Sequence, residues 1–174
     1  MTAPLLVRLS SHDRALILRC AMSPAAPRVS RLGWTAITHL GGTVPSLVAA
    51  GVPLLACCEL YRVGELALAS VVLSHLLVQL VKRTVGRGRP ALECDLSAII
   101  REPDRFSFPS GHATASFSVA LAYAVVFPGW SGPLLLLAAL VGFSRVRLGV
   151  HYPSDVVVGQ LLATLTTILV LAAR

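Results

Sequence analysis

Charge is what this chain has least of. Only 13% of its 174 residues are Asp, Glu, Lys or Arg, about half the share usual in a soluble domain. That shortage excludes an ordinary soluble globular protein. Disorder is excluded by the hydrophobic content of 55% and the mean hydropathy of +0.76, since a disordered chain is polar. Disulfide and metal frameworks are missing too. The four cysteines, Cys20, Cys57, Cys58 and Cys94, have no ligand spacing. Cys57 and Cys58 are adjacent inside an apolar run and read as small lipid-facing or packing residues. Residues 1–10 lack the apolar core and flanks of a cleavable signal. Repeats and low-complexity stretches are absent. A one-domain polytopic membrane protein is what remains.

Five apolar runs follow an N-terminal arm. The arm, residues 1–31, holds Arg8, Arg14, Arg19, Arg28 and Arg31. A span through Arg14 and Arg19 would cost roughly 2.5–3.5 kcal/mol per buried arginine. An amphipathic helix lying in the membrane interface over about 11–23, ended by Pro24 and Pro27, fits better. A disordered arm is the alternative. The remainder, residues 32–174, reads as one transmembrane domain. Its runs cover about 33–60, 64–81, 110–128, 133–148 and 153–173. Pro45 and Pro53 predict a kink in the first. The expected fold is an all-α integral membrane bundle of about five helices plus the interfacial arm helix. Every connection is short except 82–109, which is where function is sought.

The net charge is +7, from 15 basic and 8 acidic residues. In a nucleic-acid binder such charge covers a soluble surface. Here it falls in loops at the membrane interface, within reach of phosphate headgroups, so the expected partners are the bilayer and a membrane lipid phosphate, with no nucleic acid. Three clusters carry the pattern. One runs from Lys82 through Arg83, Arg87 and Arg89 to Pro90. The second is Pro109-Ser110-Gly111-His112. The third runs from Ser144-Arg145 through Arg147 to His151, Tyr152, Pro153, Ser154 and Asp155. With alternating spans all three meet at one face of the membrane. Ionisable groups at that depth are expensive and usually mark function.

Taken singly, each cluster has a plain structural reading: a turn and cap, a topology signal, a satisfied polar pair. Together they describe a phosphate site. Ser110 is a good N-cap, and Gly111 lets a ligand approach the backbone of a helix N-terminus. Lys82, Arg89 and Arg145 can supply further donors. Pro153 suits the first position of a helix, which sets His151 just before it and Asp155 in its first turn. A carboxylate there can accept from one imidazole nitrogen and leave the other lone pair free, the arrangement of a nucleophile and its orienter. His112 is left as a general acid. His39 and His75 lie inside apolar runs and read as interhelical hydrogen-bonders, and His12 as an exposed arm residue.

These clusters resemble the three-part signature of the type 2 phosphatidic acid phosphatase (PAP2) superfamily. Lys82, six residues, Arg89-Pro90; Pro109-Ser110-Gly111-His112; and Ser144-Arg145, five residues, His151, three residues, Asp155 fill every signature position. The resemblance implies that Lys82, Arg89, Arg145, Ser110 and the Gly111 N–H bind phosphate. It implies that His151 attacks phosphorus to form a phosphohistidine, that His112 protonates the leaving group and that Asp155 orients His151. It implies no cofactor and no metal, the cations being side chains. Arg147, in a spacer position, and the additional Arg83 and Arg87 depart from the pattern; they are expected to contact a second phosphate or an anionic headgroup.

The resemblance implies hydrolysis of the phosphomonoester or diphosphate of a membrane lipid, with polyprenyl (di)phosphates, phosphatidylglycerophosphate, phosphatidic acid and a polyprenyl-linked sugar phosphate as candidates. The competing classes are a lipid phosphotransferase using the same phosphohistidine and a non-catalytic lipid-binding protein. A haloperoxidase of the same superfamily is disfavoured, because such enzymes are soluble. The arm's five arginines fall on the catalytic face, whereas the opposite face has only Arg62 and Arg174. The positive-inside rule then favours a cytoplasmic-facing site in the inner or plasma membrane.

Overall fold

The computed structural model describes residues 3–174 apart from 95, 101 and 103, with residues 3–10 described by backbone alone. Among the described residues every regular element is helical. In chain order these are α1 (Ala3–Cys20), α2 (Arg28–His39), α3 (Thr43–Gly51), α4 (Cys58–Val85), the short α5 (Pro90–Glu93), α6 (Gly111–Val126), α7 (Ser131–Arg147) and α8 (Pro153–Ala172). A turn of 3-10 helix, Val52–Leu55, extends α3.

Each of the five apolar runs is helical, but they do not make five uniform spans. Helices α4 and α8 are long and apolar enough to cross a membrane, as is α7 together with the 3-10 turn Pro128–Trp130 that precedes it; α2 and α3 together make a fourth span if their 47° bend is counted as one crossing. Helix α6 has 16 residues, about 24 Å at 1.5 Å per residue, short of a hydrocarbon core of about 30 Å. Its position explains the length. It packs against α3, α4, α7 and α8, so its neighbours screen it from lipid. Its buried residues, Ala113, Thr114, Ser118, Ala120 and Ala122, are small and let four helices approach one axis.

The kink in the first run is not at the prolines. It falls at residues 40–42, between α2 and α3. Pro45 sits in the first turn of α3 and Pro53 at the start of the 3-10 turn, where a missing N–H breaks no helical bond. Gly41 shows how tightly the chain packs at that bend. A Cβ on it would stand 2.5 Å from Val141 Cγ1 and 2.9 Å from the His112 carbonyl oxygen. The bend therefore presses the chain against the start of α6.

The arm helix begins earlier than its periodicity predicts and ends at Cys20. The expected boundary at residue 31 falls inside α2. Helix α1 also joins the core. Ile17 is fully buried with Ala113, Val146, Tyr152 and Val156, and the Met22 N–H donates to the Arg147 carbonyl at 2.8 Å. The arm thus rests on the α7–α8 junction.

Candidate active site

Three helix ends and the 82–109 loop build the site. Helix α4 ends with Lys82 in its last turn, and Gly86, in the left-handed region at φ 62°, closes it by donating its N–H to the Lys82 carbonyl. Only glycine adopts that conformation cheaply, and the turn sends residues 87–89 back across the bundle. Ser110 takes the N-cap position of α6 with extended backbone. Its hydroxyl makes no capping bond; Ser110 is fully buried and its Oγ has no protein partner. A buried hydroxyl without a partner is costly, so this oxygen is available to a ligand.

The third part is the α7–α8 junction. The N–H groups of Val150 and His151 both donate to the Arg145 carbonyl, at 3.1 and 3.3 Å. That wraps the loop tightly and delivers His151 beside α4 and α6. Pro153 opens α8, and the Asp155 carboxylate caps it by accepting the Tyr152 N–H at 2.8 Å. Asp155 Oδ2 lies 3.5 Å from His151 Nδ1, and both side chains are buried. On the other ring edge, His151 Nε2 is 3.4 Å from Arg89 Nη1. Burial, then the positive charges of Arg145, Arg89 and Lys82, push the His151 imidazole well below its ordinary pKa, so it stays neutral, and the Nε2 lone pair is the one that accepts from Arg89.

The three cations are occupied by two loop carboxylates that sequence reasoning did not single out. Lys82 Nζ donates to Asp104 Oδ2 at 2.6 Å, and Arg89 Nη2 to Asp104 Oδ1 at 2.7 Å. Arg145, fully buried, donates to Glu102 and to Thr38 Oγ1, the latter at 2.8 Å. Burial alone would raise the Glu102 carboxyl, but Arg145, with His112 and Arg89, outweighs it and holds the pKa below the usual range. Asp104 is lowered in the same way by Lys82 and Arg89, against the opposing effect of its burial. Scarcity was the available signal: with eight acidic residues in the chain, two carboxylates in the loop beside three cations have ready partners.

A cavity of about 500 Å³ opens at this point. Lys82, Gly111, His112 and His151 line its polar end, and Leu47, Val72 and Leu76 line its apolar flank. Ser110, Arg145 and Asp155 stand fully buried around it. Every residue of the three expected clusters that was assigned to phosphate or to the chemistry is therefore in or beside one cavity. The extra arginines behave differently. Arg87 binds Asp13, Ser154 and Asp155. Arg147 donates to the Cys20 carbonyl at 2.8 Å and lies over the Trp34 ring. Both guanidiniums expected at a headgroup have protein partners, because α1 and α2 fold back onto this end. Arg83 is exposed at the end of α4. His75 bonds within its own helix, 3.4 Å from Gln79, rather than between helices, and both residues line the cavity.

Fold and site together define a helical bundle with spans long enough for a membrane and a buried cluster of cations around a neutral histidine. The family model described as the PAP2 superfamily matches residues 65–174, and the chain belongs to that superfamily. A lipid A 1-phosphatase of Rhizobium etli is 37% identical over 102 residues, covering 56% of this chain and 44% of the relative. A decaprenylphosphoryl-5-phosphoribose phosphatase of Mycolicibacterium smegmatis is 41% identical over 91 residues, covering 52% of this chain and 49% of the relative. The chain thus spans about half the length of the curated relatives it matches. Among solved structures, a transmembrane PAP2-type phosphatidylglycerolphosphate phosphatase of Bacillus subtilis superposes with a TM-score of 0.72 at 28% identity, covering 95% of this chain and 85% of that one.

Proposed function

We propose that this chain is an integral membrane lipid phosphatase that releases phosphate from a lipid phosphomonoester or diphosphate through a phosphohistidine on His151. The observation that carries the reading is the neutral, buried His151 set between Asp155 and the cations that would hold a phosphate. A binding protein needs the cations alone; it has no use for a desolvated nucleophile and its carboxylate partner.

The steps follow from the geometry. A phosphate enters along the cavity, displaces Glu102 and Asp104 from the cations, and takes bonds from Lys82, Arg89, Arg145, the Ser110 hydroxyl and the Gly111 N–H. His151 Nε2 donates its lone pair to phosphorus while the bond from phosphorus to the lipid oxygen breaks. His112 takes up the proton that the incoming phosphate monoanion carries and gives it to that oxygen. Asp155 stabilises the Nδ1–H as the ring gains positive character. Water then attacks phosphorus, the P–N bond breaks, and the water's proton returns to His112. Inorganic phosphate and the lipid alcohol (or the lipid monophosphate) leave. The cations do the electrostatic work that a metal ion would do elsewhere, so the reaction runs without metal.

The names of the relatives point to lipid-linked phosphates as the substrate class, and the apolar flank of the cavity suits a lipid chain. The site faces the cytoplasm in this reading, because the arm arginines Arg14, Arg19, Arg28 and Arg31 lie at the catalytic end. The experiment is phosphate release in detergent with EDTA present, from a polyprenyl diphosphate, a polyprenyl monophosphate, phosphatidylglycerophosphate and phosphatidic acid. Release by the wild type and none by His151→Ala supports the reading. No release from any of them by folded protein overturns it.

A further inference from the structure

Asp13 is one of the most buried charges in the chain, with 5% of its surface exposed, and it lies on α1, ahead of the residues that match the family. Its partners are at the catalytic centre. The Ser154 N–H donates to Oδ1 at 3.1 Å, and the Ser154 hydroxyl donates to Oδ2. Arg87 Nη2 donates to the same Oδ2 at 2.8 Å. The other arm of that guanidinium, Nη1, donates at 2.8 Å to Asp155 Oδ1 and at 2.8 Å to Ser154 Oγ. The guanidinium also lies 3.9 Å over the Tyr152 ring. One arginine therefore ties two buried carboxylates from opposite ends of the chain.

The arrangement fixes which oxygen of Asp155 meets the histidine. Asp155 Oδ1 is taken by Arg87. Oδ2 is left facing His151 Nδ1. A guanidinium binds a carboxylate side-on through both oxygens when it is free to do so. Arg87 is not free, because Asp13 holds its second nitrogen. The Tyr152 N–H also holds Oδ2, at 2.8 Å, but without Asp13 the fork can turn side-on onto Asp155 and compete with the imidazole for that oxygen. Ser154 and Ile17 keep the anchor in place: the first bonds Asp13 twice, and the second is buried one turn further along α1.

We propose that Asp13 is a positioning residue of the active site, acting through Arg87 to hold Asp155 against His151, so that α1 is part of the catalytic apparatus. The proposal rests on the phosphatase reading above. The atoms it moves are those of the carboxylate partner of the nucleophile, not those that bind phosphate.

The test compares the full-length wild type with Asp13→Asn, Asp13→Glu and Arg87→Lys in detergent. The measurements are kcat and KM on the best lipid of the panel, together with the stoichiometry and affinity of inorganic phosphate binding. Asp13→Asn is expected to lower kcat about tenfold to a hundredfold, the range for groups that orient a functional histidine from behind, with KM and phosphate affinity within about threefold. Arg87→Lys keeps the charge but cannot bridge two carboxylates, and is expected to reproduce the loss. Asp13→Glu is expected to recover part of it. Unchanged kcat in Asp13→Asn overturns the proposal. So does a kcat loss matched by an equal loss of phosphate-binding sites, which marks a structural role. A wild type that binds phosphate yet hydrolyses no lipid overturns the phosphatase reading itself, and the positioning role with it.

Discussion

His151 Nδ1 faces Asp155 Oδ2 across 3.5 Å, four residues apart in sequence and both buried. That oxygen already accepts the Tyr152 N–H, and its twin accepts Arg87. The carboxylate is thus fixed before the imidazole closes on it. A closing movement of about half an ångström converts the contact to a hydrogen bond, as catalytic contacts commonly tighten only around substrate.

Asp155→Asn keeps the shape of the side chain but removes the charge and offers a donor where an acceptor is needed. The histidine is then held in the wrong tautomer. The expected loss in kcat is about a thousandfold or more. Inorganic phosphate inhibition stays within about threefold, since the phosphate donors are untouched. A mutant with more than a tenth of wild-type kcat contradicts the assigned role.

The His151 imidazole is lowered by burial and by Arg145, Arg89 and Lys82, which has two consequences of definite sign. The nucleophile stays neutral well below pH 6.5, so its NMR signals in the ligand-free protein show no titration near the ordinary histidine value. The unfolded chain does take up that proton below about pH 6.5. Stability therefore falls as pH drops through 6.5 towards the lower folded pKa. An imidazole that titrates at 6.5 or above in the folded protein is incompatible with the site described.

Glu102 and Asp104 occupy the cations that a phosphate would use. Substrate must therefore displace a carboxylate that carries the same charge. Glu102→Gln weakens that competition at Arg145, and inorganic phosphate is expected to bind roughly tenfold more tightly, the equivalent of about 1.4 kcal/mol for a charge-assisted bond. Because both carboxyls are lowered, they stay ionised throughout and below the usual carboxylate range, and the competition persists across the physiological range. Calorimetric titration with phosphate at pH 7 measures the effect. Equal or weaker binding in the mutant means that the carboxylates support the cradle instead of competing for it.

The residues proposed for catalysis could be singled out because each is a polar residue in an apolar chain, at a helix end, with a spacing that suits phosphate chemistry, and the structure brings them to one cavity. The helices around them were legible from the apolar runs. The bend at Gly41 was not, since prolines are the louder signal and the tight packing there is against Val141 and His112, distant in sequence. Asp13 was not legible either. It lies 141 positions from Ser154, and a single aspartate among arm arginines reads as a solvated face. The protein partners of Arg87 and Arg147 were hidden for the same reason: they come from segments with no motif to announce them.

Orientation can be read from native cysteines. Cys57 and Cys58 are free and exposed at the start of α4, about 36 Å of helix rise from Lys82. With a cytoplasmic-facing site they open to the outside. A membrane-impermeant maleimide is then expected to label whole cells expressing the wild type, and labelling is expected to drop in the Cys57→Ser, Cys58→Ser double mutant. Labelling that requires permeabilised cells reverses the orientation.

A close helix contact behind the site makes a further prediction. A Cβ on Gly159 would stand 2.8 Å from the Ser110 carbonyl oxygen and 2.8 Å from Thr114 Oγ1. The Ser110 carbonyl accepts the Thr114 N–H and hydroxyl, at 3.0 and 2.8 Å, and the Ser110 N–H donates to the Asp155 carbonyl at 3.0 Å. No flexible side-chain end is available to yield. Gly159→Ala must therefore push α8 from α6, and it moves Ser110 and Asp155 together. Overpacking of this kind costs about 1–3 kcal/mol. The expected result is a lower thermal midpoint in detergent together with weaker phosphate binding, because the Ser110 hydroxyl and Gly111 N–H shift with the helix start. Gly129→Ala, at a position where a Cβ meets nothing within 4 Å, is the control and is expected to change neither. If Gly159→Ala behaves like Gly129→Ala, the α6–α8 contact is looser than its geometry states, and the registration of Ser110 against Asp155 depends on other contacts.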